Sequence, residues 1–172
     1  ALGHRRIAAI AGPEDDPRAQ ERELGYLDAL AELGLDCDAM LVASGDWSFA
    51  SGMEAARLLL QVSPRPTAIV AMNDAMAAGA IHAALAYRLS VPGDVSIIGF
   101  GDTPLAGHMN PPMASLRMPL AEMARAAAGK LLHPEGAASI ACEFGAELAA
   151  RATLAAPPDQ AGTASSLRLQ SG

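Results

Sequence analysis

The sequence is poor in the features that nucleic-acid binders, membrane proteins and disulfide-built domains depend on. Its 172 residues include a single lysine, Lys130, and carry a formal charge of −7. Gripping a phosphate backbone takes a basic face, so the chain itself is not read as holding DNA or RNA. No stretch reaches the roughly 18 apolar residues of a membrane span, and no membrane partner is expected. The opening Ala1-Leu2-Gly3-His4 is not a charged segment before an apolar run, so no secretory leader is read. It also lacks an initiator methionine, and the chain is read as starting within a longer protein. Cys37 and Cys142 lie far apart in sequence and are expected to be reduced, buried thiols rather than a bridge.

The catalytic signatures are missing too. No Walker-type or GxGxxG loop opens a helix after a strand, and no GxSxG elbow occurs. His4, His82, His108 and His133 are scattered, none at metal-ligand spacing from another. Asp15 and Asp16 resemble a carboxylate pair after a strand, but beside Pro17 the helix-cap reading is preferred. The expectation is therefore a non-enzyme with no metal and no cofactor.

What the chain does have is alanine-rich apolar material, 51% hydrophobic with only 3% aromatic. Such cores rely on close backbone approach rather than on rings. Strands are expected at Arg6–Ala11, Met40–Ala43, Thr67–Met72 and Val95–Phe100. Helices are expected at Pro17–Leu33, Ser51–Val62 and Asp74–Leu89. Asp16 is the expected cap of the first, Gly34 its stop, and Leu24, Leu27, Leu30 and Ala31 its inward stripe. In the second, Met53, Ala56, Leu59 and Leu60 share a face; in the third, Ala77, Ile81, Ala84 and Leu85 do. Strands alternating with helices predict an α/β fold, an open parallel sheet flanked by helices. A segment broken by proline and glycine, Gly101–Met118, precedes a further helix, Pro119–Leu132, striped by Leu120, Met123, Ala124, Ala127 and Leu131. Short extended pieces follow at Ser139–Phe144 and Glu147–Ala150, and the polar tail from Pro157 is read as disordered.

Ligands of open parallel sheets bind outside the carboxyl ends of the strands. That edge collects Arg22, Trp47, Asn73, Asp74, Gly101 and Asp102. Trp47 suits the apolar face of a sugar ring, and Arg22 and Asn73 suit neighbouring hydroxyls. Each residue also has a plainer reading. Trp47 could pack, Asn73 or Asp74 could cap a helix, Arg22 could be solvated, and Asp102 could close a turn.

The motifs run in one order: Leu2-Gly3-His4-Arg5-Arg6-Ile7-Ala8, Ala11-Gly12-Pro13, Arg22 before Gly25-Tyr26, Gly45-Asp46-Trp47-Ser48, Ala71-Met72-Asn73-Asp74-Ala75-Met76-Ala77, Val91-Pro92-Gly93-Asp94-Val95-Ser96 and Pro111-Pro112. The set resembles the LacI/GalR family of transcription regulators across residues 1–156. That resemblance implies a periplasmic-binding-protein-like (type I) second lobe with most of the first lobe absent. It assigns residues 1–117 and 145–156 to the second lobe, 118–144 to a crossover helix and strand of the first, and 157–172 to a disordered tail. It implies effector binding by Arg22, Trp47, Asn73 and Asp102, with a carbohydrate or a derivative as ligand. It also implies a homodimer in the cytoplasm, with operator DNA reached only through an N-terminal helix-turn-helix that this sequence lacks. A periplasmic sugar-binding protein of a transport system is the alternative. The family usually carries two acidic residues after the fourth strand; here the first position is Gly101, which leaves Asp102 alone.

Overall fold

A computed structural model describes residues 2–132 and 142–158. Five short apolar segments form parallel strands because each is flanked by a loop and a helix that return the chain in the same direction. They are β1 (Ile7–Ala11), β2 (Val42–Ser44), β3 (Ala68–Ala71), β4 (Ser96–Phe100) and β5 (Ala114–Arg117). A sixth strand, β6 (Glu147–Ala149), adds antiparallel to β5, and the sheet order is β2-β1-β3-β4-β5-β6. The connecting helices are α1 (Pro17–Glu32), α2 (Phe49–Gln61), α3 (Asp74–Ala86) and the short α4 (Pro104–His108); α5 (Leu120–Leu132) follows β5. The chain moves from β1 to β2 on one side and then back past β1 to β3 on the other. Right-handed crossovers therefore place α1 on one face of the sheet and α2 with α3 on the other.

The α2–α3 pair shows how an alanine-rich sequence makes a core. Gly52 of α2 lies against the Met76 backbone, and Gly79 of α3 against the carbonyl of Phe49. A Cβ at either would collide with main chain, so glycine is what lets the helices meet. Small residues along α3, Ala77, Ala80 and Ala84 among them, are then fully covered beside Met76 and Ile81. The opposite face is less closed. Val70, Phe100 and Leu116, from three neighbouring strands, line a groove of about 730 Å³ beside Tyr26 and Leu30 of α1.

Several local expectations need correction. On α1, Leu24 and Ala31 are exposed; Ala19, Tyr26 and Leu30 face the sheet. Tyr26 fixes that face, because its hydroxyl donates to the Ile7 carbonyl at 2.9 Å. On α3, Leu85 points outward. Residues Ala39–Leu41 form a 3-10 turn capped by Asp38, so the second strand begins only at Val42. The segment read as irregular, Gly101–Met118, contains both α4 and β5. Cys37 and Cys142 are free thiols but exposed, since neither lies on a strand or on an inward helix face. The extended piece expected at Ser139–Phe144 lies partly, and the tail beyond Pro158 wholly, outside the described residues.

The caps agree with the sequence reading. Asp16 accepts from the Arg18 amide, and Gly34 takes the left-handed conformation that ends α1, with Leu35 N–H donating back to the Leu30 carbonyl. After β6 the chain stays with the sheet. Buried Thr153 donates to the Ile97 carbonyl at 2.7 Å and accepts from Ala114 N–H at 2.9 Å, which pins the returning segment to β4 and β5.

Candidate functional site

The strand order reverses at β1, so the loops after β1 and β3 straddle a gap at the carboxyl edge of the sheet. Three of the four expected residues meet there. Asn73 is the cap of α3: its Oδ1 accepts from Met76 N–H at 2.7 Å, while its Nδ2 donates to the Trp47 carbonyl at 2.8 Å. The cap reading and the site reading of Asn73 are thus both satisfied by one side chain. Trp47 has a φ of 71°, a conformation costly for a non-glycine residue. Its indole lies against Gly12, where a Cβ would collide with the ring, and its Nε1 donates to Asp16 Oδ2 at 3.0 Å.

Arg22 completes the group. Its guanidinium lies 3.9 Å from the centre of the Phe100 ring and 5.4 Å from that of Trp47, and it donates to the Met72 carbonyl. One turn earlier on the same helix, Arg18 also approaches Trp47, at 5.7 Å. Burial and then the nearby Arg18 charge push the Arg22 pKa down from its ordinary value, partly offset by Asp16. Asp16 differs. Its hydrogen bond with the Arg18 side chain, helped by those from the Arg18 backbone and Trp47, holds its carboxyl well below the usual range despite desolvation.

Asp102 stands apart. It follows β4 at the same edge and also has a positive φ, 48°. Its side chain, however, is almost fully buried and turned toward two arginines. Arg117 Nε donates to Oδ2 at 2.6 Å. Arg151 Nη2 lies 2.6 Å from Oδ1, an ion pair that leaves this oxygen without an aligned hydrogen-bond donor. Burial raises the Asp102 pKa, and the two arginines outweigh it, so the carboxyl sits below its ordinary value. The structure therefore does not bring this carboxylate together with Arg22, Trp47 and Asn73.

One contributor was not singled out from the sequence, and a second was placed at the edge without its role. Phe100 is the platform for Arg22; an aromatic at the end of an inner strand was the available signal. Asp74 is the second. Fully buried at the start of α3, it accepts from Ser115 Oγ at 2.6 Å, from Thr103 Oγ1 at 2.7 Å and from Thr103 N–H at 2.6 Å. Ser115 Oγ in turn accepts from the Asp102 amide at 2.9 Å. One carboxylate thus ties the helix carrying Asn73 to the loop carrying Asp102. No sequence period announces such a link. Among the described residues, no cluster of three or more His, Cys, Asp or Glu could hold a metal ion.

A mostly parallel sheet with a polar, aromatic-bearing edge at its switch point is the kind of place where ligands bind in open α/β sheets. The chain belongs to the periplasmic binding protein-like domain family, whose model matches residues 1–153. It is 40% identical over 130 residues to the HTH-type transcriptional regulator AscG of Escherichia coli K12, a match covering 76% of this chain and 39% of that protein. Among solved structures it resembles a sugar-binding transcriptional regulator of the LacI family from Escherichia coli, complexed with phosphate. That TM-score is 0.84 at 38% identity, covering 91% of this chain and 57% of the other. It also resembles the transcriptional regulator CelR in complex with cellobiose, with a TM-score of 0.81 at 36% identity, covering 88% and 47%. The LacI-type resemblance read from the motifs thus stands, and these relatives are regulators rather than enzymes. The chain spans about two fifths of the curated relative and roughly half of each solved chain. No helix among the described residues is long and apolar enough to cross a membrane.

Proposed function

We propose that this chain is the effector-sensing part of a LacI-type transcription regulator. A small carbohydrate or derivative binds at Arg22, Trp47 and Asn73, and its binding is passed to a helix-turn-helix DNA-binding domain outside this sequence. The observation that carries the reading is the meeting of Arg22 on α1, Trp47 on the loop after β2 and Asn73 at the cap after β3, the last two joined by the Asn73–Trp47 hydrogen bond and Arg22 lying beside the Trp47 ring. Asp102 enters the same function as a brace for the edge rather than as a ligand. The charge of −7 fits a chain that reaches operator DNA only through another domain. The protein acts in the cytoplasm as a homodimer.

Its relatives' names favour this reading over a transport receptor, and the upstream gene sequence discriminates directly. A helix-turn-helix there supports the regulator, and a cleavable leader supports the transport protein. Calorimetry on the protein in its full genomic length is the functional test. Trp47→Ala should weaken sugar binding by about 1–2 kcal/mol if the ring stacks on the ligand. Unchanged affinity would return Trp47 to packing and remove the sugar platform.

A further inference from the structure

Charge at the edge narrows the chemistry of the ligand. Among the described residues Arg22 has no ion pair; the rings of Phe100 and Trp47 and the Met72 carbonyl are its neighbours. It is half-buried, and the second cation, Arg18, shares its surroundings. A guanidinium in that position presents unused N–H groups in a planar fork and favours an anion to offset its charge.

The carboxylates near this edge are engaged with other groups or open to water; Glu21, which lines the same groove, is exposed. Asp16 is bound to Arg18 and to Trp47 Nε1. Asp46 accepts from Ser48 N–H on its own loop. Asp102 is held by Arg117 and Arg151. Glu14 and Asp15 are exposed before α1, where water and salt screen them. After β4, where a carboxylate could have faced the gap, there is Gly101. Its φ is 123°, and a Cβ built there meets nothing closer than 3.6 Å. The edge thus has room at Gly101 and no side chain of its own there; the nearest carboxylate, Asp74, would lie 3.7 Å from such a Cβ and is already engaged with Thr103 and Ser115.

Resting on the effector reading above, we infer that the ligand is an anionic sugar derivative, a sugar phosphate or sugar acid, whose charged group binds the Arg22 fork. Trp47 and Asn73 receive the polyhydroxyl part.

The test uses the protein in its full genomic length and the fluorescence of Trp47, the only tryptophan in this sequence, with calorimetry as a check. Matched sets are titrated: glucose, glucose 6-phosphate and glucuronate; ribose and ribose 5-phosphate; and inorganic phosphate alone. At least one charged sugar should bind about tenfold tighter than its neutral parent, the difference expected when the guanidinium's partner changes from a neutral hydroxyl to an anion. Arg22→Gln should erase that difference, whatever it does to the affinity of the neutral parents, and Arg22→Lys, which keeps the charge, should retain part of it. Neutral parents binding as tightly as their charged partners would overturn the anion inference and leave the effector reading standing. Inorganic phosphate binding as tightly as the sugar phosphates would overturn the sugar part. No binding by any compound would overturn the effector reading itself.

Discussion

α3 and α5 are both thirteen residues long and both rich in alanine, yet one buries nine residues and the other none. α3 is apolar nearly all round, and it lies between the sheet and α2 with Gly79 allowing main-chain contact. α5 has a cleaner stripe, and Leu120 and Leu131 on that stripe are 64% and 84% exposed. A helix sequence specifies which face seeks cover; it does not specify what supplies the cover. The difference separates residues whose substitution unfolds the lobe from residues whose substitution changes only what the lobe associates with.

The largest effect is expected where α2 and α3 touch. Gly79→Val places a side chain into the backbone of Phe49 and Met53, and should cost about 3 kcal/mol or more by overpacking. Thermal melts of the variant against the parent measure it. A loss below 1 kcal/mol would mean that the helices can part and that the contrast with α5 is one of degree.

Asp74→Ala comes next, at the join between α3 and the β4 loop. It leaves Thr103 N–H, Thr103 Oγ1 and Ser115 Oγ without their acceptor in a closed site, for about 2–3 kcal/mol. Asp74→Asn should recover part of this, because its amide oxygen can still accept. Chemical denaturation of the three proteins separates a lost hydrogen-bond network from a lost charge.

How far all this was legible in the sequence follows from the range of the interactions. Local signals read well: Asp16 before Pro17 as a cap, Gly34 as a stop, and alternating apolar runs as a parallel sheet. The strand-end rule brought Arg22, Trp47 and Asn73 to one edge. What depends on pairing across the fold did not show. Asp102 looked like a ligand residue because nothing in its neighbourhood announces Arg117, fifteen positions on, or Arg151, forty-nine on. β5 was hidden by the prolines before it, and its strand character comes from its place beside β4 and β6. The inward face of α1 was misjudged because leucines outnumber the one tyrosine whose hydroxyl fixes the helix.

Asp102 gives a smaller, pH-dependent effect. Its folded-state pKa is lowered from 3.8, with the arginine pairs outweighing burial. A lowered folded value means that stability is present above the ordinary carboxylate range and is lost as pH falls through the folded value. Arg151→Met should therefore move the acid-unfolding midpoint to higher pH. An unchanged midpoint would place the Arg151 contact among ion pairs that contribute nothing measurable.

The smallest change in folding stability, and the sharpest test of the comparison, is expected at α5. Leu120 already faces water, so Leu120→Asp in an isolated chain removes no buried contact and should leave the melting transition within about 0.5 kcal/mol of the parent. The same stripe is costly to leave in water, roughly 25 cal/mol for each Å² that could be covered, and such a patch invites association. A second copy of the chain is the expected cover. Light scattering should show a dimer or larger species for the parent and a shift toward monomer for Leu120→Asp. The two measurements work against each other. A melting temperature that falls by several degrees in a species monomeric both before and after the change would show α5 packed on its own lobe. It would then be a second α3, and the distinction between covered and uncovered helices would fail.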